Sequence, residues 1–279
     1  MAQHIIPQPR ARTPTTRAGR PVRRQLPLAS LPLLLFLVVP LLALVLRVAP
    51  AALLAHLVDR TVAQAIGLSI STTLTSTLLT LVTGTPVAYL LARRRFRGHG
   101  ALDTLLDLPM VLPPAVAGIA LLIAFGRQGL LGRYLKDAGI EIAFTGVAVV
   151  LAQTFVAAPF YVKAAATGFS GIERELELAA AIDGAGPLRI FQAITLPLAW
   201  PVLLGGLVMT WARALGEFGA TIIFAGNFPG RTQTMPLAIY IGFELDFDVA
   251  LTLAVLLLAS SFAVLFVVKY MLGRPARVA

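Results

Sequence analysis

Cysteine is absent from all 279 residues, so the chain can form neither a disulfide nor a thiolate metal site. Histidine is nearly as scarce. His4, His56 and His99 are scattered through a leading polar stretch and loops, with no H-E-x-x-H or other ligand spacing. No metal centre is expected. Charge is also thin: Asp, Glu, Lys and Arg make up 13% of residues, about half the usual globular share. The acidic residues sit mainly outside the apolar runs and form no pairs within them, which weighs against an intramembrane proton relay. No G-x-x-x-x-G-K-S/T loop occurs, so ATP is not bound through that motif, and no G-x-S-x-G elbow presents a nucleophile. The chain is expected to carry no catalytic residue and to bind no cofactor.

What is present is apolar. Hydrophobic residues reach 58% and the mean hydropathy is +0.85, more than one soluble core can hide, so the natural solvent is a lipid bilayer. A net charge of +10 would suggest nucleic acid in a soluble protein. Here the basic residues gather at the ends of apolar runs, as membrane topology requires, and nucleic acid is not an expected partner. Six stretches are long enough to cross about 30 Å of hydrocarbon as helices. They run near 28–49, 67–92, 109–126, 144–167, 197–216 and 248–270, the third being the shortest. Residues 1–27 read as a disordered basic tail before a retained first span, the alternative being a cleaved signal peptide. The segment Thr221–Phe243 is apolar but interrupted by Asn227, Pro229, Gly230, Arg231 and Gln233. It is expected to be a loop with a short interfacial or re-entrant piece. Sixteen Lys and Arg flank one side of the spans, including Arg10, Arg93, Arg94, Arg174 and Lys269, against six on the other. That excess places both termini and the even-numbered loops in the cytoplasm. The second span is crowded with hydroxyls from Ser69 to Thr85, which suit helix packing or a polar passage.

The fourth loop, residues 170–197, opens with Glu173, Glu175 and Glu177, a cluster suited to a helix N-terminus. Gly184, Gly186 and Pro187 break that helix. A second amphipathic piece, Leu188–Thr195, feeds the fifth span. Such a helix–turn–helix outside the membrane could transmit a push as a rigid body. At these residues the chain resembles the permease subunits of ABC importers. Their signature is Glu-Ala-Ala, then a Gly four residues after the second Ala, then Ile-x-Leu-Pro. Ala179, Ala180, Gly184, Ile194, Leu196 and Pro197 match it, while the signature Glu falls on Leu178 with Glu177 one place earlier.

Further on, Arg213-Ala214-Leu215-Gly216-Glu217-Phe218-Gly219-Ala220-Thr221, Phe224-Ala225-Gly226-Asn227 and Pro229-Gly230-Arg231-Thr232 resemble the molybdate permease group of that family, with sulfate permeases as near relatives. The resemblance implies an all-α membrane protein with about six transmembrane helices and the type I ABC importer permease fold. It implies an importer domain over 60–272, with a coupling helix within 176–190 that docks on a cytoplasmic ATP-binding subunit. It implies a bacterial inner-membrane homodimer, served by an extracytoplasmic substrate-binding protein and carrying molybdate. Sulfate or tungstate is the alternative ion on the same architecture, and a stand-alone secondary carrier or a membrane scaffold are alternatives of other classes.

Within the fifth span Arg213 lies about 24 Å from its start, and Glu217 stands at i+4, within ion-pair reach. The pair either neutralises itself or sets the electrostatics of a vestibule for an oxyanion. Gly219, Thr221, Asn227 and Arg231 join it as pathway or gate candidates.

Overall fold

A computed structural model describes residues 26–272. The expected basic tail lies outside them, apart from Leu26 and Pro27, which open α1 (Leu26–Arg47). At 22 residues this helix is about 33 Å long, enough to cross hydrocarbon. It contains Pro32 and Pro40, a composition tolerated in lipid-embedded helices.

The second unit runs from Val48 onward. It begins with a short helix, α2 (Pro50–Leu57), that the apolar pattern did not disclose. Asp59 then caps α3 (Arg60–Arg93), its carboxylate accepting the Thr61 N–H at 2.7 Å. That hydrogen bond holds the Asp59 carboxyl below the usual carboxylate range. With 34 residues, α3 spans about 51 Å and must project beyond the hydrocarbon. The expected span at 67–92 is therefore extended by two turns at its start.

The third expected span, 109–126, is not one helix. It is split between α4 (His99–Val111) and α5 (Pro114–Phe125), which meet at 115°. The cause is Pro113-Pro114. Proline lacks an N–H and pushes the residue before it out of the helical region, and Leu112 accordingly has φ −63° and ψ 136°. A short α6 (Gly132–Asp137) leads to α7 (Gly146–Ser170), whose N-cap Thr145 accepts the Ala148 N–H. Then come α8 (Arg174–Ile182) and α9 (Pro187–Ile190). A π-helical turn (Phe191–Thr195) runs on into α10 (Leu196–Leu215). The segment expected to be a loop with an interfacial or re-entrant piece holds two short helices, α11 (Gly219–Phe224) and α12 (Met235–Leu245), before α13 (Phe247–Leu272). Among the described residues, five helices are long and apolar enough to span a membrane, and the bent pair would make a sixth.

The centre of this unit is α3, α7 and α10. Small residues let them approach. Gly84 on α3 lies against Tyr161 and Val162 of α7, and Gly206 on α10 lies against Ala164 and Tyr161. Gly168 of α7 meets Val202 of α10. With Arg93 at the end of α3 reaching Ile172 just past α7, α3 runs parallel to α7, and α10 is antiparallel to both. Most α3 hydroxyls bond to their own backbone, as Thr73 does to Ser69 O at 2.7 Å and Thr85 to Leu81 O at 2.6 Å. The packing reading of that span is thus satisfied locally. Thr80 differs, with its buried Oγ1 unpartnered.

Candidate functional site

The sequence-derived candidates divide between the two ends of α3. The first group gathers near Arg93, the last residue of that helix. α8 is amphipathic, yet none of its residues is fully buried. Glu177 and Ala180, one turn apart, face the bundle, whereas Leu178, Ala179 and Ile182 point outward. Leu178 is 55% exposed, Ile182 86% and, past the turn, Leu188 68%. The helix stops in a Schellman motif: Gly184 takes φ +86°, its N–H bonds Ala181 O, and the Ala185 N–H bonds Ala180 O. Ile194 and Leu196 are half-buried and Pro197 is exposed.

Glu177 is engaged within the chain. Its Oε1 lies 2.8 Å from Arg93 Nη2 and accepts the Thr195 hydroxyl at 2.7 Å. Arg93 also reaches Ile172 O at 3.3 Å. Nearby, Lys163 of α7 bonds Asp103 and Asp107 of α4, at 2.5 and 3.0 Å, fixing the first half of the broken helix to the bundle.

The second group lies toward the other end, where the Met235 N–H bonds Ser69 Oγ at 2.7 Å. Ser69 and Arg93 are about 36 Å apart along α3. Arg213 Nη1 and Glu217 Oε2 approach to 2.7 Å. Glu217 is 1% exposed, and its other oxygen accepts the Ala220 N–H at 2.8 Å, securing the start of α11. Gly219 abuts Pro114, and Gly118 of α5 lies under Ala220 and Ile223, so α5 and α11 cross with almost no space between them. Thr221 is fully buried with an unpartnered Oγ1. Asn227 donates to Leu237 O at 3.4 Å, while its Oδ1 is buried without a partner. Arg231 is exposed. Gly226 and Gly230 take positive φ in the turns around Phe228.

Sequence reasoning passed over Gln153. It sits on α7, is 1% exposed, and neither atom of its amide has a hydrogen-bond partner. A Gln in the apolar first half of a span was the available signal, because a polar group at membrane depth is costly unless used.

Residues 84–275 match the family described as "Binding-protein-dependent transport system inner membrane component". The chain is 45% identical over 224 residues to a molybdenum transport system permease protein, ModB, of Mycobacterium tuberculosis, covering 80% of this chain and 85% of that one. With the ModB of Escherichia coli it shares 44% over 178 residues, 63% of this chain and 78% of the relative. Its fold is similar to that of a bacterial ABC transporter involved in the import of the polysaccharide alginate. The TM-score there is 0.71 at 15% identity, covering 91% of this chain and 95% of that one. The inward-facing MetNI methionine ABC transporter gives a TM-score of 0.58 at 21% identity, covering 76% and 94%.

Proposed function

The chain belongs to the binding-protein-dependent transport system inner-membrane components, and from that premise we propose that it forms the transmembrane pathway of a molybdate importer driven by a separate ATPase. The observation that carries the coupling is the outward apolar face of α8, where Leu178 and Ile182 stand one turn apart and exposed. A surface helix ordinarily buries such a face, so an exposed one marks an interaction surface. In this reading α8, the Gly184 turn and α9 sit in the cytoplasm with both termini and dock on the ATP-binding subunit. Two copies of the chain enclose the pathway, and an extracytoplasmic binding protein delivers the anion.

Molybdate as cargo rests on the molybdenum permeases that resemble this chain over most of its length. Arg213, held by Glu217, then gives the pathway a fixed positive centre near the re-entrant segment, suited to a dianion.

The test is reconstitution of the chain with its ATPase and binding protein in liposomes, followed by ATP-dependent uptake of labelled molybdate against excess sulfate. Uptake that survives the sulfate supports the assignment, and full competition by sulfate overturns it. For the coupling surface, Ile182→Asp should prevent the ATPase from co-purifying. An ATPase that stays bound to this variant removes α8 as its docking site.

A further inference from the structure

We propose that Arg93, Glu177 and Thr195 form an internal strut that converts displacement of α8 into movement of the spans, and that Glu177 is a positioning residue rather than an ATPase contact. This rests on the reading of α8 as the coupling helix.

Four elements converge on this one group. Arg93 is the last residue of α3, and its guanidinium touches Ile172 O, in the link between α7 and α8. The same guanidinium holds Glu177 of α8 at 2.8 Å. The Glu177 oxygen also takes the hydroxyl of Thr195, a fully buried residue that closes the π-helical turn leading into α10. The end of α3, the α7–α8 link and the π-turn at the head of α10 are therefore tied to α8 through a single carboxylate oxygen and a single guanidinium. Both side chains are 14% exposed, so solvent screens the pair far less than at a surface.

The tie is needed because α8 has no fully buried residue to anchor it. Apolar contact is non-directional and lets one helix slide over another. A charge-assisted hydrogen bond with a second donor on the same oxygen fixes direction and register. The π-turn contributes as well. One extra residue in a helical turn rotates the helix beyond it, and such turns concentrate at functional positions. Here the turn ends on Thr195, the residue that meets Glu177. The carboxylate one place before the signature position, which falls on Leu178, thus faces inward, while Leu178 itself faces out.

The full importer, with ATPase and binding protein, tests this through the number of molybdate ions taken up per ATP hydrolysed. Glu177→Gln keeps the shape and an acceptor for Thr195 but removes the charge that holds Arg93. Uptake per ATP should fall by about tenfold, within the usual range of site-to-site coupling, while the ATPase co-purifies at wild-type stoichiometry. Thr195→Val, which leaves the ion pair in place, should cause a smaller loss in the same ratio. The charge exchange Arg93→Glu with Glu177→Arg should recover part of the loss. The strut is overturned if uptake per ATP is unchanged in both Glu177→Gln and Thr195→Val. It is overturned equally if Glu177→Gln releases the ATPase, which would make Glu177 a contact, or if the exchanged pair recovers nothing in an assembled complex. Failure of the coupling reading shows separately, as an ATPase that remains bound to Ile182→Asp.

Discussion

Arg213→Met is the most informative single change in the second group, because the two members of its ion pair are unequally buried. Glu217 is 1% exposed and Arg213 29%. Removing the arginine strands a carboxylate that keeps just the Ala220 N–H, and breaking a buried pair from one side typically costs about 3–5 kcal/mol. Removing the charge on the other member is milder. In Glu217→Gln the amide oxygen still accepts from Ala220, and the Arg213 head can turn toward its exposed side, so the cost should be about 1–3 kcal/mol. The double variant Arg213→Met with Glu217→Gln leaves no uncompensated charge, and it should return to within about 2 kcal/mol of the parent. Unfolding of the permease in mixed micelles measures all three. Transport should follow a different order. If Arg213 provides the positive centre for the anion, the double variant regains stability without regaining uptake in liposomes carrying ATPase and binding protein. Recovery of molybdate uptake by the double variant would refute the functional role and leave the pair as self-neutralisation. Equal destabilisation by the two single variants would refute the burial argument itself.

Two further substitutions probe glycines, one in a turn and one in a tight crossing. At Gly184 an added Cβ meets nothing within 4 Å, so the sole penalty is the left-handed backbone at φ +86°. Gly184→Ala should therefore cost about 1–2 kcal/mol of α8 order. It should weaken ATPase association by about tenfold in co-purification titrations, rather than abolish it, and wild-type affinity would refute the Schellman turn as a determinant of docking. At Gly118 an added Cβ would lie 2.9 Å from both Ala220 O and Ile223 Cβ. Gly118→Ala should therefore destabilise by about 1–3 kcal/mol through overpacking, measured by unfolding in mixed micelles, and a neutral result would refute the tight crossing of α5 and α11.

Which segments enter the bilayer was legible from the sequence because that decision is local. An apolar run of sufficient length suffices, and α1, α7, α10 and α13 begin and end within a few residues of the expected spans. The interruption of 221–243 was legible for the same reason: Asn227, Pro229 and Gly230 could not continue a lipid-facing helix, and α11 and α12 are separate short helices there. The break in the third span was written in Pro113-Pro114, but an apolar window averages over a proline pair and hides it. The α4 helix escaped because its partner is remote. Asp103 and Asp107 look like ordinary loop acids until Lys163, more than fifty positions away, is seen beside both. Glu177 and Arg93 are 84 positions apart, and each alone reads as a solvated charge beside a membrane.

Those remote pairs follow from the solvent the chain occupies. Lipid tails are as apolar as leucine, so hydrophobicity commits a helix to the bilayer but does little to choose its neighbours there. The choice falls to small residues that admit close approach and to polar groups that must find partners. Gly84, Gly206 and Gly168 set the spacing of α3, α7 and α10, and any sequence of small residues could do so in several registers. A polar pair is more selective, because sliding by one turn would leave both members unpaired at a cost no apolar contact repays. The Arg93–Glu177–Thr195 group stands at the start of α10 and the Arg213–Glu217–Ala220 group at its end. A bundle tied at one end by Arg93–Glu177–Thr195 and at the other by the Met235 N–H on Ser69 of α3 carries displacement between them with little loss to side-chain slippage. That is the mechanical requirement for a motion begun at α8 to alter the surroundings of Arg213, which lies about 27 Å beyond Thr195 along the helix axis.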